Sequence, residues 1–234
     1  MSGHSKWSNI KNKKAANDAA RGSVFTKMAK TITIAVKKGG GVGDPEMNFS
    51  LRLAVDKARA VNMPKENIDR AIDKGMGKGG VELFELTIEA FAPDGVSIIL
   101  EVMTDSRNRA VSEIRTLIEK HGGRMGEPGS VMYLFEHCGI VGTAEKIGEE
   151  LQLVLIDLGM TDTVEEEEGS VVYTSIESLQ KVILYLQEQG IAAEGSIGYR
   201  PKTNVVLSDS KRVENFLETI AQYEDVQEVY ANLG

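Results

Sequence analysis

The chain has 234 residues, of which 41% are hydrophobic and 26% charged, with one cysteine and a formal net charge of −8. This length fits one large domain or two to three small ones, each able to bury a core. A single cysteine, Cys138, excludes an internal disulfide and fits a reducing compartment. No segment is long and apolar enough to span a membrane, so we expect no membrane partner.

The net charge hides a division of the chain into a basic and an acidic part. Residues 1–78 hold 16 Lys and Arg against 7 Asp and Glu, whereas residues 79–234 hold 11 against 28. A basic block of this kind indicates a polyanionic partner, and an acidic remainder limits indiscriminate binding.

The basic part is predicted to form three helices. The first begins at Ser23 and ends at Gly39, the second starts at Asp44–Pro45, and the third runs from Pro64 to Gly75. On the first helix an apolar stripe predicts the buried side, and Ile34 falls outside it among the lysines. The opposite side, which we expect to face water or a partner, carries Lys27, Lys30, Lys37 and Lys38.

From Val81 onwards the pattern changes to strands and helices in alternation. Strands are predicted over residues 81–91, 96–104 and 130–135, with a helix from Asp105–Ser106 to near His121. Residues 139–200 then follow the order β-α-β-β-α-β of a ferredoxin-like module. One further helix and strand remain, and the simplest account is that this tail completes the earlier sheet.

The predicted fold class is therefore α+β with three domains. An N-terminal three-helix bundle is followed by two α+β, ferredoxin-like domains, one inserted in the other. The predicted boundaries are residues 1–78 for the helical domain, 79–135 with 206–234 for the split domain, and 136–205 for the inserted domain.

No motif in the chain predicts an enzyme. The glycines at 75, 77 and 80 match G-x-G-x-x-G, but they follow a helix and precede a strand, which favours a linker. The residues His4, His121, His137 and Cys138 are too scattered for a zinc site, and an inert buried thiol is favoured at Cys138. We expect no catalytic residue, no cofactor, no metal and no small-molecule substrate.

The opening stretch carries the strongest functional signal, because it combines cations, small polar residues and one tryptophan. Such a set suits phosphate contacts and stacking on a base or sugar. The alternative is a solvated tail with Trp7 folded onto the bundle. Together with the first long helix, the predicted nucleic-acid-binding residues are His4, Ser5, Lys6, Trp7, Lys11, Lys13, Lys14, Arg21, Lys27, Lys30, Lys37 and Lys38.

A second candidate contact lies at the start of the helix that follows the strand over residues 96–104. Arg107, Asn108 and Arg109 place two guanidinium groups beside free helix N–H groups. The alternative is a capped helix whose arginines pair with nearby acids, and the sequence leaves both readings open.

Four stretches together resemble the YebC family. They are GHSKWSNIKNKKAANDAARGSVFTK, RLAVDKARAVNMPKENIDRAI, TDSRNR and GGRMGEPGSVMYLF, in this order and spread over most of the chain. The resemblance implies a helical domain followed by two α+β domains, and a non-enzymatic cytoplasmic protein that binds nucleic acid. Members of this family are regarded as transcriptional regulators or as ribosome-associated factors that relieve stalling.

The resemblance leaves open whether DNA or ribosomal RNA or tRNA is the ligand. The third predicted helix alternates charges and lacks the character of a DNA recognition helix, which favours RNA and the ribosome. Mitochondrial relatives carry a leader before the start that here lies at Gly3, which favours a bacterial cytoplasmic protein. The alternative function is a protein–protein adaptor whose basic end binds an acidic protein.

Overall fold

The computed structural model describes residues 18–79, 82–166 and 169–234, and within these ranges it contains seven α-helices and two four-stranded antiparallel sheets. The mixed α+β class predicted from the sequence is thus confirmed. In chain order the elements are α1 (Asp18–Lys38), α2 (Phe49–Ala60), α3 (Lys65–Gly75), β1 (Phe84–Phe91), β2 (Ser97–Thr104), α4 (Arg107–Lys120), β3 (Arg124–Met125), β4 (Phe135–Thr143), α5 (Glu149–Asp157), β5 (Met160–Glu166), β6 (Gly169–Thr174), α6 (Leu179–Glu188), β7 (Ala193–Pro201), α7 (Lys211–Ala221) and β8 (Val226–Ala231).

Helices α1, α2 and α3 pack around an apolar core, and we call them the helical unit. Helix α1 continues through the predicted cap Ser23, and the Thr26 hydroxyl donates to the Gly22 carbonyl at 2.9 Å. The good helix formers Ala19 and Ala20 precede this point, which explains the earlier start. The core of the helical unit includes Met28, Ile32, Val36, Leu51, Ala54, Val55, Ala58, Ile68 and Ala71.

The start of α2 also differs from the prediction. Asn48, and not Asp44, caps the helix, with its side-chain oxygen accepting from the Leu51 N–H at 3.1 Å. Its amide group donates to the carbonyls of Ala35 and Val42, both at 3.1 Å. Asn48 is buried, and these three bonds satisfy its polar atoms while they tie α2 to the end of α1.

The first sheet has the strand order β3-β1-β2-β8, so the last strand of the chain lies beside β2. Helices α4 and α7 pack on this sheet through a core that includes Ile98, Leu100, Ile114, Ile118, Phe216 and Ile220. We call this sheet with α4 and α7 the first sheet unit. Its elements follow in the order β-β-α-β-α-β, which differs from the ferredoxin-like order expected for both sheets.

The predicted strand over residues 130–135 was wrong. Residues Met132–Leu134 form a 3₁₀ turn, and the short β3 supplies the strand beside β1. The buried Glu89 carboxylate accepts from the backbone N–H groups of Gly129, Val131 and Met132, which removes these donors from strand pairing. Burial raises the pKa of Glu89, but these three bonds outweigh it and hold the pKa below its usual range.

The second sheet has the strand order β5-β6-β4-β7, with all neighbours antiparallel. With α5 and α6 its elements follow in the order β-α-β-β-α-β, and we call them the second sheet unit. Phe49 and Leu53 of α2 pack against its core, so the helical unit touches the second sheet unit. The domain boundaries given above stay predictions. Within the described ranges, no helix has the length and apolarity to cross a membrane.

Candidate nucleic-acid interface

The predicted binding residues divide into those outside and those inside the described part of the chain. His4, Ser5, Lys6, Trp7, Lys11, Lys13 and Lys14 lie outside the described residues, and so does the side chain of Arg21. Inside it, Lys27, Lys30, Lys37 and Lys38 lie along α1, and Arg107, Asn108 and Arg109 form the first turn of α4.

The middle of α1 faces the first sheet unit, whereas the prediction was that its lysines face water or a partner. Lys27 is only 9% exposed, and its Nζ donates to the Ala221 carbonyl at 2.6 Å. Lys30 Nζ lies 2.5 Å from Asp225 Oδ1 and 3.3 Å from the Glu224 carbonyl. Ala221 ends α7, where unsatisfied carbonyls carry partial negative charge and attract a lysine. The physical reason for this difference is an acceptor surface about two hundred residues away in the chain.

Asp225 is the centre of this contact, with its side chain 1% exposed. Lys30 approaches one of its oxygens, and Arg109 of α4 approaches the other at 2.8 Å. Burial raises the pKa of Asp225, but the bonds from Lys30 and Arg109 outweigh it and lower the pKa below its usual value. Arg109 also lies 3.0 Å from Asp105, so for this residue the structure favours pairing with acids.

The C-terminal end of α1 is different, because Lys37 and Lys38 are exposed there. They border a shallow groove of about 400 Å³ between α1, the start of β1 and the start of α4. The groove is lined by Ile34, Lys37, Lys38, Leu83, Phe84, Glu85 and Arg107. The lysines of α1 and the first arginine of α4, predicted separately, are thus brought to one place.

Inside this basic groove, charge and aromatic surface lie together. The Arg107 guanidinium carbon lies 4.6 Å from the centre of the Phe84 ring, within cation–π distance. Lys38 Nζ lies 2.8 Å from Glu85 Oε1, and both side chains remain more than one-third exposed. Three cations against one carboxylate leave the groove a net positive charge. Asn108, the other predicted residue of this turn, is exposed beside Arg107.

Sequence reasoning missed the apolar lining of the groove. Ile34 did not fit the core stripe because it is buried against this lining and not in the core of the helical unit. Phe84 begins β1 and Leu83 precedes it, a few residues after the glycine-rich linker, and nothing in their spacing relates them to α1. The one indication in the sequence was Ile34, an apolar residue that falls outside the apolar stripe and among the lysines.

A second group of charges lies where α2 meets the first sheet. Lys57 Nζ of α2 lies 2.5 Å from Glu228 Oε1 of β8, and this attraction raises the pKa of Lys57. Nearby, Glu101 of β2 accepts a hydrogen bond from the Tyr230 hydroxyl at 3.2 Å. Burial, with a further contribution from the negative charge of Glu228, raises the pKa of Glu101 to about 7.

Two of the residues considered for catalysis or metal binding are buried or packed against other side chains. Cys138 is buried, and burial raises the pKa of its thiol to about 11. The His137 ring stacks on Tyr199 with 4.9 Å between ring centres. In the described part of the chain, no three His, Cys, Asp or Glu residues are grouped so that they could hold a metal ion.

Comparison with known proteins gives matches along nearly the whole chain. The sequence model of the TACO1/YebC N-terminal domain matches residues 5–78, and that of the TACO1/YebC second and third domain matches residues 83–233. A probable transcriptional regulatory protein of Chloroflexus aggregans is 42% identical over 241 residues, covering 100% of this chain and 95% of its own. One of Thermosipho africanus is 43% identical over 238 residues, covering 99% and 93%.

A solved structure is also similar. The crystal structure of a conserved hypothetical protein from Aquifex aeolicus superposes with a TM-score of 0.84 at 38% identity, covering 93% of this chain and 91% of that one. The resemblance found in the four sequence stretches is therefore confirmed along nearly the full length, and the chain belongs to the TACO1/YebC family.

Proposed function

We propose that this chain is a non-enzymatic factor that regulates gene expression by binding nucleic acid through its basic N-terminal part. The observation that carries the proposal is the basic groove, where Lys37, Lys38 and Arg107 meet beside Phe84. Relatives named as probable transcriptional regulatory proteins support the regulatory role.

The groove offers the two kinds of contact that nucleic acids need. Exposed lysines neutralise phosphates without regard to sequence, while a planar guanidinium binds a phosphate through two parallel bonds or stacks on a base. In the proposal, the residues from His4 to Lys14 also bind nucleic acid, with Trp7 stacking on an exposed base or sugar.

We place RNA before DNA as the ligand and include association with the ribosome in a cytoplasmic setting. Helix α3 carries acidic residues such as Glu66, Asp69 and Asp73 among its lysines, and it presents no set of side chains typical of base readout. A DNA-binding transcriptional regulator remains the second form of the proposal, because the names of the relatives favour it.

The proposal assigns no catalytic step to this chain. The high pKa of the Cys138 thiol keeps it protonated at neutral pH, and a protonated thiol is a poor nucleophile. An adaptor that binds an acidic protein through the same lysines is the competing function.

The test is a salt titration of binding to one RNA hairpin and one DNA duplex of unrelated sequence. Each phosphate interaction that a variant removes should flatten the slope of log K against log salt by about 0.7 on single strands and about 0.9 on duplex DNA. The double variant Lys37→Ala/Lys38→Ala should therefore flatten the slope by roughly one to two units. The triple variant Lys11→Ala/Lys13→Ala/Lys14→Ala should flatten it by roughly two to three units.

The matched control is Lys65→Ala/Lys74→Ala, which removes the same charge from exposed positions of α3 outside the groove. Its slope should stay close to that of the wild type. If the groove variant and this control behave alike, the groove is not the binding surface. If the wild type binds neither nucleic acid but retains an acidic protein partner after nuclease treatment, the adaptor function replaces this proposal.

A further inference from the structure

We propose that the contact between the helical unit and the first sheet unit is autoinhibitory, so that nucleic acid must displace an internal acidic surface to reach Lys27 and Lys30. This inference rests on the proposed function and adds its regulation. The acidic surface consists of the backbone carbonyls of Ala221 and Glu224 and the carboxylates of Asp225 and Glu228.

We call this contact between the two units the seam. The first support is that lysines of the helical unit contribute the cations of the seam and the first sheet unit contributes the acceptors. Lys27 and Lys30 contact residues 221–225, and Thr31 lies 3.4 Å from the Gln227 side chain. Further along, Lys57 of the helical unit pairs with Glu228. An aspartate carboxylate and two backbone carbonyls thus hold the ammonium groups where phosphate oxygens would bind them.

The second support is that the seam lies outside the apolar cores of both units. Among the described residues, the core of the helical unit includes no residue of the first sheet unit, and the reverse also holds. Opening this seam would therefore leave both cores intact. The groove beside the buried Ile34 and the apolar contact of Phe49 and Leu53 with the second sheet unit would stay in place and serve as the pivot. Only the part of the contact around Lys27 and Lys30 would then open, and the groove would be kept.

The third support is the double pairing of Asp225. If Lys30 left, Asp225 would still lie 2.8 Å from Arg109 of its own unit. A buried carboxylate without any cation would be strongly disfavoured, but this one keeps a partner in the open state. Lys30, by contrast, would be released to solvent or to a phosphate.

The consequence for affinity follows from the population of the open form. When only a fraction of molecules is open, the apparent affinity of a ligand that needs Lys27 and Lys30 is lowered by that fraction. Weakening one ion pair of the seam should enlarge the fraction, and the affinity should rise by about threefold to tenfold.

The test measures binding of poly(U) to Asp225→Asn and to Glu228→Gln at constant salt. Both variants should bind more tightly than the wild type by that factor. Removing any acidic charge favours binding of a polyanion, so the control is Glu224→Gln, an exposed neighbour with the same change in charge. The control should change affinity by less than about twofold.

A second measurement follows the seam directly. In a Cys138→Ser background, spin labels at Ser23→Cys of α1 and Asn215→Cys of α7 occupy exposed positions on the two units. Addition of poly(U) should produce a population with a longer distance between the labels. Asp225→Asn should enlarge that population in the absence of RNA.

The outcomes separate this inference from the function on which it rests. If the wild type does not bind poly(U) or the hairpin and duplex, the proposed function fails. If it binds, while both seam variants match Glu224→Gln and poly(U) leaves the label distance unchanged, the seam is permanent packing and the inference is overturned. Should Asp225→Asn fail to fold, Glu228→Gln and the label distance in the unmutated seam still decide.

Discussion

The two halves of α1 carry lysines of the same kind and meet different surroundings. In the middle of the helix, Lys27 and Lys30 are held by the end of α7 and by Asp225. At its C-terminal end, Lys37 and Lys38 stay exposed at the mouth of a groove with Arg107. One helix therefore contributes both to a contact within the molecule and to a surface available to a ligand.

The difference shows that a basic helix face cannot be assigned from its own sequence. All four lysines lie on the side opposite the apolar stripe, and their spacing along the helix does not distinguish one from another. What separates them is an acidic loop that follows them by almost two hundred residues. Charge at a helical position indicates a polar environment, and only the partner surface decides whether that environment is water.

The largest expected effect follows from removing the surface that holds Lys27 and Lys30. A chain ending at residue 205 lacks α7 and β8, which supply Phe216, Leu217, Ile220 and Val229 to the core of the first sheet. We expect this chain to lose cooperative unfolding of the first sheet unit, because its core would be open to water. Thermal melting followed by circular dichroism, with hydrogen exchange on β1 and β2, measures this.

The fragment of residues 81–135 gives the complementary test. It contains β1, β2, α4 and β3 but neither α7 nor β8, so it should not melt cooperatively either. A fragment ending at Lys78 is expected to fold as a helical domain, because its apolar core is complete. Cooperative melting of the 81–135 fragment alone would count against a sheet completed by the tail.

A smaller effect is expected at Glu101, beside the Lys57–Glu228 pair of the same seam. Its pKa rises from an ordinary 4.5 to about 7. Between pH 4.5 and about 7, Glu101 is therefore protonated in the folded state but ionised in the unfolded state. Stability should therefore fall as pH rises from about 4.5 to about 7, by on the order of 3 kcal/mol, and stay lower above that range. Glu101→Gln should remove this loss and be more stable than the wild type at pH 8.

Urea denaturation at pH 5 and at pH 8 measures the change in the free energy of unfolding. The control is Glu119→Gln on the exposed side of α4, which should keep the pH dependence of the wild type. An unchanged pH dependence in Glu101→Gln would mean that Glu101 ionises normally in the folded protein.

The smallest effect compares the two halves of α1 directly. Lys30→Met removes a charged hydrogen bond to a buried carboxylate and should lower the free energy of unfolding by about 1–2 kcal/mol. Lys37→Met changes an exposed side chain and should alter stability by less than about 0.5 kcal/mol. For nucleic-acid binding we expect the opposite order if the seam stays closed, with Lys37→Met the more harmful.

Urea midpoints and binding constants of the two variants, measured in one buffer, test this comparison. Equal stabilities would show that the contact between Lys30 and Asp225 contributes nothing to folding. Equal reductions in binding would show that both halves of the helix reach the ligand.

Much of the fold could be predicted because local rules govern its elements. The alternation of apolar residues predicted β1 and β2 to within about three residues, and Ser106 was correctly placed before α4. The predicted strand over residues 130–135 failed for a non-local reason, since Glu89 on β1 captures its N–H groups. The start of α2 failed similarly, because the bonds of Asn48 to Ala35 and Val42 outweigh the local signal of Asp44 and Pro45.

The sequence by itself determined the family, the mixed α+β class and the basic character of the N-terminal part. These depend on motif order, hydrophobic periodicity and charge counts, which follow directly from the order and composition of the residues. Only the tertiary structure decided that Arg107 joins Lys37 and Lys38 while Arg109 and Lys30 share Asp225. The physical reason is that ion pairs and grooves form between surfaces brought together by folding, and the local sequence around a lysine does not identify the carboxylate with which it will pair.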